Sequence, residues 1–221
     1  MRKENKVVLV TGASAGIGKA TARVLGQKGW TVYAAARRVD AMQELLSGGI
    51  KLLQLDITDV QQCQAAVEQI LSSEGRIDAL VNNAGYGSYG PLEKVSDEEA
   101  RRQFDVNIFG LMQLTRLVLP QMRDQRSGKI INISSVGGRI TTPLGGWYHA
   151  TKFALEGLSD SLRTEVKPFG IDVVVIQPGN ITSEWAEVAA ENLQNTADGG
   201  PYRRLEEAMT RSFQVGVKEA K

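Results

Sequence analysis

The sequence predicts an α/β protein: a doubly wound parallel sheet with helices on both faces, three layers in a single domain over residues 1–221. Three observations carry this. Short β-branched runs alternate with segments of 3.6-residue periodicity, the signature of repeated βαβ units. The runs "VVLV" and "DVVVIQ" are continuously apolar, as strands buried on both faces must be. A tight glycine-rich turn, "TGASAGIG", follows the first run directly and opens a helix.

The elements follow in order. The polar start "MRKEN" gives way to a first strand at Val7–Val10, and the helix after the glycine turn runs near Gly16–Lys28. Strands at Thr31–Ala35 and Lys51–Leu55 come next, then a helix near Val60–Ser73. A strand at Ala79–Val81 precedes a long helical stretch, Asp97–Arg123. The strand Lys129–Ile133 leads to a helix near Trp147–Lys167, and Asp172–Ile176 is the last strand. After Pro178-Gly179 the chain is polar and mostly helical, broken at "DGGP". There are no repeats, low-complexity tracts or interdomain linkers.

Bulk properties exclude several classes of function. The chain has 221 residues, enough for one α/β domain with a sizeable core. Net charge is +1 with no charge block, which argues against nucleic-acid and polybasic membrane partners. No apolar run approaches the ~20 residues of a membrane span, and the start has no secretory-signal pattern. Cys63 is the one cysteine and His149 the one histidine. No internal disulfide and no metal site are expected, and a reducing, cytoplasmic compartment is the simplest setting.

The glycine turn raises the first chemical question. Gly12, Gly16 and Gly18 give the spacing G-x-x-x-G-x-G. Glycine permits a sharp turn and lets a pyrophosphate approach the backbone. The helix that follows offers unpaired N–H groups and the positive end of its dipole. Thr11 and Ser14 can bond the loop or a phosphate. A purely structural turn is the alternative, and its position after the first strand favours dinucleotide binding. The second strand ends "YAAARRVD". Ala36 stands where an acid would bond a ribose 2′-hydroxyl. Arg37 and Arg38 follow, and a guanidinium grips phosphate bidentately. This favours NADP over NAD, with Asp40 able to blunt the preference and two solvated arginines as the plain alternative.

Tyr148 and Lys152 in "WYHATKF" stand at i and i+4, on one helix face. A free phenol titrates near 10, too high for proton transfer near neutrality. A neighbouring ammonium favours phenolate and lowers that value. The preceding strand, "KIINISS", carries Ser134 and Ser135 to a carboxyl end, where doubly wound sheets place their sites.

These motifs together resemble the short-chain dehydrogenase/reductase family in its single-domain, Rossmann-like form. In order they are "TGASAGIG", "LDITD", "NNAG", "FDVNIFG", "INISS", "YHATK" and "QPGNITSEW". The resemblance implies NADP(H)-dependent interconversion of a ketone or aldehyde and an alcohol. Tyr148 would be the acid/base and Lys152 would lower its pKa and bond the ribose. Ser135, 13 residues before the tyrosine, would orient the carbonyl, and Asn107 would hold a relay water. Cofactor contacts are implied at Gly12, Ser14, Gly16, Ile17, Gly18, Arg37 and Arg38. Asp56 and Ile57 would flank the adenine, and Asn83, Ala84 and Gly85 its ribose and the floor of the site. Pro178, Gly179, Ile181 and Ser183 would meet the nicotinamide end. A homodimer or homotetramer is implied through the two long helices. So is a helical lid over residues 180–213, with another helix and a seventh strand after residue 210, which "RSFQVGVKEAK" hardly supplies.

Trp147, Trp185, Tyr86 and Leu144 are candidates to line an apolar substrate pocket, with Trp185 the best placed; plain packing is the equal alternative. His149 lies ~100° round the helix from Tyr148 and is expected to be non-catalytic. Two other classes stand beside the oxidoreductase. One is a non-catalytic NADP-binding sensor. The other is a sugar-nucleotide epimerase or dehydratase, which needs a larger substrate domain.

Overall fold

The computed structural model describes residues 5–179, 181, 184–197 and 200–218. Six strands form one parallel sheet: β1 (Val7–Thr11), β2 (Thr31–Ala36), β3 (Lys51–Gln54), β4 (Ala79–Asn82), β5 (Gly128–Ile133) and β6 (Ile171–Ile176). Their order is β3-β2-β1-β4-β5-β6. The winding direction therefore reverses between β1 and β4, which opens a crevice beyond their carboxyl ends.

Alternation along the strands sorts side chains into two cores. Leu9, Tyr33, Leu80 and Ile130 face one side, where they meet Val67 and Ile70 of α2 (Val60–Glu74) and Leu114, Val118 and Met122 of α4 (Leu111–Gln125). Val8, Val10, Val32 and Ala34 face the other, against Ala22 of α1 (Gly16–Gln27) and Met42 and Leu45 of a short 3-10 segment, Asp40–Gly48. That segment is too short and irregular to show a helical period in the sequence. Asp59 caps α2, accepting bonds from the Gln61 and Gln62 amides.

The long helical stretch 97–123 is not one regular helix. It divides into α3 (Asp97–Phe104), a π-helical turn (Asp105–Gly110) and α4. Apolar periodicity reads through such a turn because the chain stays helical on both sides. α5 (Gly146–Val166) carries Tyr148 and Lys152. Beyond β6 the chain continues as α6 (Glu184–Thr196) and α7 (Arg203–Lys218). No seventh strand occurs among the described residues, and β6 keeps Val174 and Ile176 exposed at the sheet edge. No helix among the described residues is long and apolar enough to cross a membrane.

Candidate active site

The glycine turn is locked to the β4 loop by close approach. A Cβ at Gly12 would lie 2.8 Å from the Ala84 Cα, and Gly12 has φ +63°. A Cβ at Gly18 would lie 2.4 Å from Asn83 Nδ2 and 2.5 Å from the Gly12 carbonyl. Only glycine tolerates both demands. Asn83 Nδ2 donates to the Thr11 carbonyl at 2.9 Å, and the amides of Asn83 and Ala84 both donate to Thr11 Oγ1 at 3.0 Å. Thr11 is thus a brace between β1 and β4. Ala15, which precedes α1, offers no side-chain cap to the first-turn N–H groups. Arg38 reaches across to Ser14 Oγ at 3.4 Å, and Arg37 is exposed beside it. An uncapped helix start, a glycine cradle and two arginines at one rim suit the phosphates of a dinucleotide.

The catalytic candidates converge at the neighbouring strand ends. Ser135, just beyond β5, accepts from the Gly137 amide at 3.0 Å and caps a 3-10 turn over Val136–Gly138. Lys152 is buried and donates to the Ile133 carbonyl at 2.9 Å. Asn107 sits in the π-helical turn and is buried. Its Nδ2 donates to the Tyr86 carbonyl at 2.9 Å and to Thr151 Oγ1 at 3.1 Å, while its Oδ1 accepts from the Tyr86 amide at 3.1 Å. Thr151 in turn donates to the Tyr148 carbonyl at 2.8 Å. The wide turn therefore aims Asn107 at the helix that carries Tyr148 and Lys152, a frequent placement for π-turns.

The electrostatics depart from the sequence expectation in one respect. Burial raises the Tyr148 phenol above its ordinary value, with the Ser135 hydroxyl pulling the other way. Acidification by Lys152 does not appear, because Lys152 is itself desolvated: burial brings it down to about 8, opposed by the negative charge of Glu156. An ammonium held so weakly, and engaged by the Ile133 carbonyl, leaves burial in control of the phenol.

α6 and α7 fold over the tyrosine. Tyr148, Tyr89, Leu144, Ala189 and Leu193 form a buried cluster, joined by Trp185, Met209 and Phe213. The Trp185 ring lies 5.1 Å from Tyr148 and 6.0 Å from Tyr89, and Phe213 meets Tyr89 edge-on at 5.0 Å. Leu144 holds φ +65°, a strained value for a branched residue, and its carbonyl accepts from the Gly90 amide. Leu144 and Trp185, two of the pocket candidates, pack against Tyr148 in this cluster.

Sequence comparison decides the family. The profile described as "short chain dehydrogenase" matches residues 6–194. The chain belongs to this family. A 3-ketodihydrosphingosine reductase of Bacteroides thetaiotaomicron is 43% identical over 182 residues, 82% of this chain and 66% of that protein. The chain thus spans just under two thirds of that relative. A metagenomic short-chain oxidoreductase solved in complex with NADP is 35% identical at a TM-score of 0.74, covering 78% of this chain and 81% of its own. A short-chain dehydrogenase/reductase of Burkholderia phymatum in complex with NAD superimposes at 0.85 with 26% identity, covering 100% and 82%.

Within this short-chain dehydrogenase, some anticipated residues lie elsewhere. Trp147 is not in the Tyr148 cluster: it stacks edge-on with Phe104 at 6.3 Å, along a groove that Phe109 also lines. Tyr86 donates its hydroxyl to Glu99 at 2.9 Å rather than lining the aromatic cluster. Ile57 is buried in the core, with its carbonyl against Gly110, and the Asp56 carboxylate accepts from Thr58 N and Oγ1. Gly85 lies against Asn107, where a Cβ would come within 2.9 Å of Oδ1. The Pro178 carbonyl accepts from the Val136 amide at 3.0 Å, fastening the Pro178-Gly179 turn to the serine loop. Ile181 is half exposed, while Thr182 and Ser183 lie outside the described residues. His149 accepts the Thr142 amide at Nε2 and meets the Gly137 carbonyl through Nδ1, so it stitches loops. Cys63 is a buried free thiol pushed up to about 11 by burial.

Three contributors escaped the sequence reading. Thr151 and Tyr89 sit in no recognised spacing. The ladder Asn82–Asn132–Ser159 is bonded at 2.9 Å across each step; Asn82 and Asn132 stand in the motifs "NNAG" and "INISS", which gave no sign that they pair. Alternation on the strands would have paired Asn82 with Asn132, which are opposite in register.

Proposed function

We propose that this protein is an NADP(H)-dependent oxidoreductase that interconverts a ketone or aldehyde and an alcohol. The carrying observation is the Tyr148 phenol. It is buried among apolar side chains, one helical turn from Lys152 and beside Ser135, at the same sheet edge as the glycine turn. Bound nicotinamide supplies or accepts the hydride. Tyr148 gives the carbonyl oxygen its proton, or removes it from the alcohol in reverse. Ser135 orients and polarises that carbonyl, Lys152 bonds the nicotinamide ribose, and Asn107 positions a relay water near Thr151. A dry, apolar surround strengthens each of these interactions.

Arg37 and Arg38 favour NADP, since no carboxylate stands at Ala36 to bond a 2′-hydroxyl and repel a phosphate. Gly12, Ser14, Gly16, Ile17 and Gly18 would hold the phosphates of a bound dinucleotide. Asp56, Ile57 and Asn83–Gly85 would flank its adenosine, and Pro178, Gly179, Ile181 and Ser183 would meet its nicotinamide end. The substrate is apolar, small to medium in size, and enters beneath a lid made by α6 and α7 within one domain. The name of the Bacteroides relative, a ketone reductase, supports the reductive direction. Two or four copies assemble through the helical stretch 97–123 and α5, where Phe109 of the π-helical turn is 60% exposed beside a groove of about 390 Å³ that α3 and Trp147 also line. The buried free thiol of Cys63 suits the reducing cytoplasm.

The test is direct. Mixing with NADPH and NADH should shift cofactor fluorescence, more strongly for NADPH. A panel of apolar ketones and aldehydes should then oxidise it. Binding without any turnover would favour the sensor, and no binding of either cofactor would defeat the reading.

A further inference from the structure

Glu156 is buried to 6% exposure, yet no family motif draws attention to it. It lies one turn beyond Lys152 on α5. Its two oxygens reach two separate loops. Oε1 accepts from Gln177 Nε2 at 2.9 Å, immediately before the Pro178-Gly179 turn. Oε2 pairs with Arg139 at 3.0 Å, in the loop that follows Ser135. The same loop presses on the helix at this level: a Cβ at Gly138 would lie 3.1 Å from Glu156 Cγ, 3.1 Å from the Lys152 carbonyl and 3.0 Å from Ser134 Oγ. That Ser134 oxygen is buried without a hydrogen-bond partner. The three segments that frame the site thus converge on one carboxylate.

We propose that Glu156 is a positioning residue for the Tyr148–Lys152 pair. Its carboxylate supplies the counter-charge for Lys152 and ties the Ser135 loop and the Gln177 turn to the catalytic helix. The inference rests on the oxidoreductase reading above.

The groups around Lys152 support this role. From α5 the titratable neighbours are Tyr148 and Glu156. β5 offers the Ile133 carbonyl, followed by the neutral hydroxyls of Ser134 and Ser135. The π-helical turn brings neutral Asn107, bonded to Thr151. Gln177, beyond β6, is neutral, and Arg139 is already paired with Glu156. Burial lowers Lys152 while Glu156 raises it. Without that carboxylate the ammonium would lose its proton at lower pH, and with it the grip on a ribose hydroxyl.

Glu156→Gln is the informative variant, because it keeps the shape and an acceptor for Gln177 while removing the charge. NADPH binding, followed by fluorescence from pH 6 to 10, should lose affinity on the alkaline side about one pH unit earlier than in the wild type. Glu156→Asp should restore most of the wild-type profile. Arg139 is 60% exposed, so Arg139→Met should fold even if Glu156→Gln does not. It frees the carboxylate from its counter-ion and should move the alkaline limb upward. An unmoved limb in whichever variant folds overturns the proposal. Failure of the wild type to bind NADPH at any pH would instead strike the oxidoreductase reading.

Discussion

Lys152 Nζ lies 5.8 Å from the centre of the Tyr148 ring, with its proton donated to the Ile133 carbonyl instead of the phenol. The two groups are neighbours on α5 but are not bonded to each other. The cooperation proposed for them would therefore run through what each one bonds in the cleft, and the two can be separated by mutation.

Tyr148→Phe removes the proposed proton donor while keeping the ring that packs on Trp185 and Tyr89. Turnover should fall by about 10²–10⁴-fold. NADPH affinity should stay within about twofold, because little ground-state contact is lost. Steady-state rates beside a fluorescence titration check both halves.

The pH dependence follows from Lys152. Burial brings its ammonium from 10.5 to about 8. If, as proposed, the charged form is the one that bonds ribose, kcat/KM should fall as pH rises through about 8. Stability moves the opposite way. Between about 8 and 10.5 the unfolded chain holds a proton that the folded chain has lost, so this residue's contribution rises with pH across that window. A pH–rate profile and chemical denaturation at matched pH values measure the two trends separately.

Arg37 and Arg38 should set cofactor choice. Replacing both with Ala removes charge-assisted bonds worth about 1.5–3 kcal/mol, a loss of about 10–150-fold in NADPH affinity. NADH affinity should hardly change. Paired titrations of the two cofactors read the ratio.

Asn107→Leu should cost stability before it costs anything else. The Tyr86 amide and carbonyl and Thr151 Oγ1 would each lose a bonding partner. A buried polar group left unbonded costs about 1–3 kcal/mol. For a chain of this size that lowers the melting temperature by about 2–4 °C per kcal/mol, measurable by calorimetry.

Gly12→Ala should damage the turn itself. The backbone angle of +63° disfavours any Cβ, and the new atom would meet Ala84 at 2.8 Å. Strain of this kind costs about 1–3 kcal/mol, and weaker NADPH binding should accompany the lower melting temperature.

Much of this molecule was legible in its letters. Short β-branched runs located the six strands to within a residue; β1, β2 and β4 are covered on both faces and have no polar side to disguise them, while the edge strands β3 and β6 alternate buried and exposed. Gly12 and Gly18 stand out as a sharp turn open to a pyrophosphate; their crowding against Asn83 and Ala84 comes from a distant segment and leaves no mark in the spacing. What failed to show was whatever depends on a second chain segment. Periodicity cannot reveal that the stretch 105–110 widens, since the cause is Asn107 bonding Tyr86 and Thr151. Nor can it say that Trp147 turns toward Phe104 while Trp185 turns toward Tyr148. The raised titration of the Tyr148 phenol is hidden for the same reason. An i, i+4 spacing promises proximity, but desolvation is a property of the assembled lid.

The widened turn at 105–110 also fixes the length of the chain between two anchors. An α-helix covers the same arc with about one residue fewer, so the wide turn absorbs an extra residue while Leu114, Val118 and Met122 stay inside the core. Excising one residue there would let an ordinary helix form with that face still inward. What such a one-codon deletion would sacrifice is the aim of Asn107 at Tyr86 and Thr151.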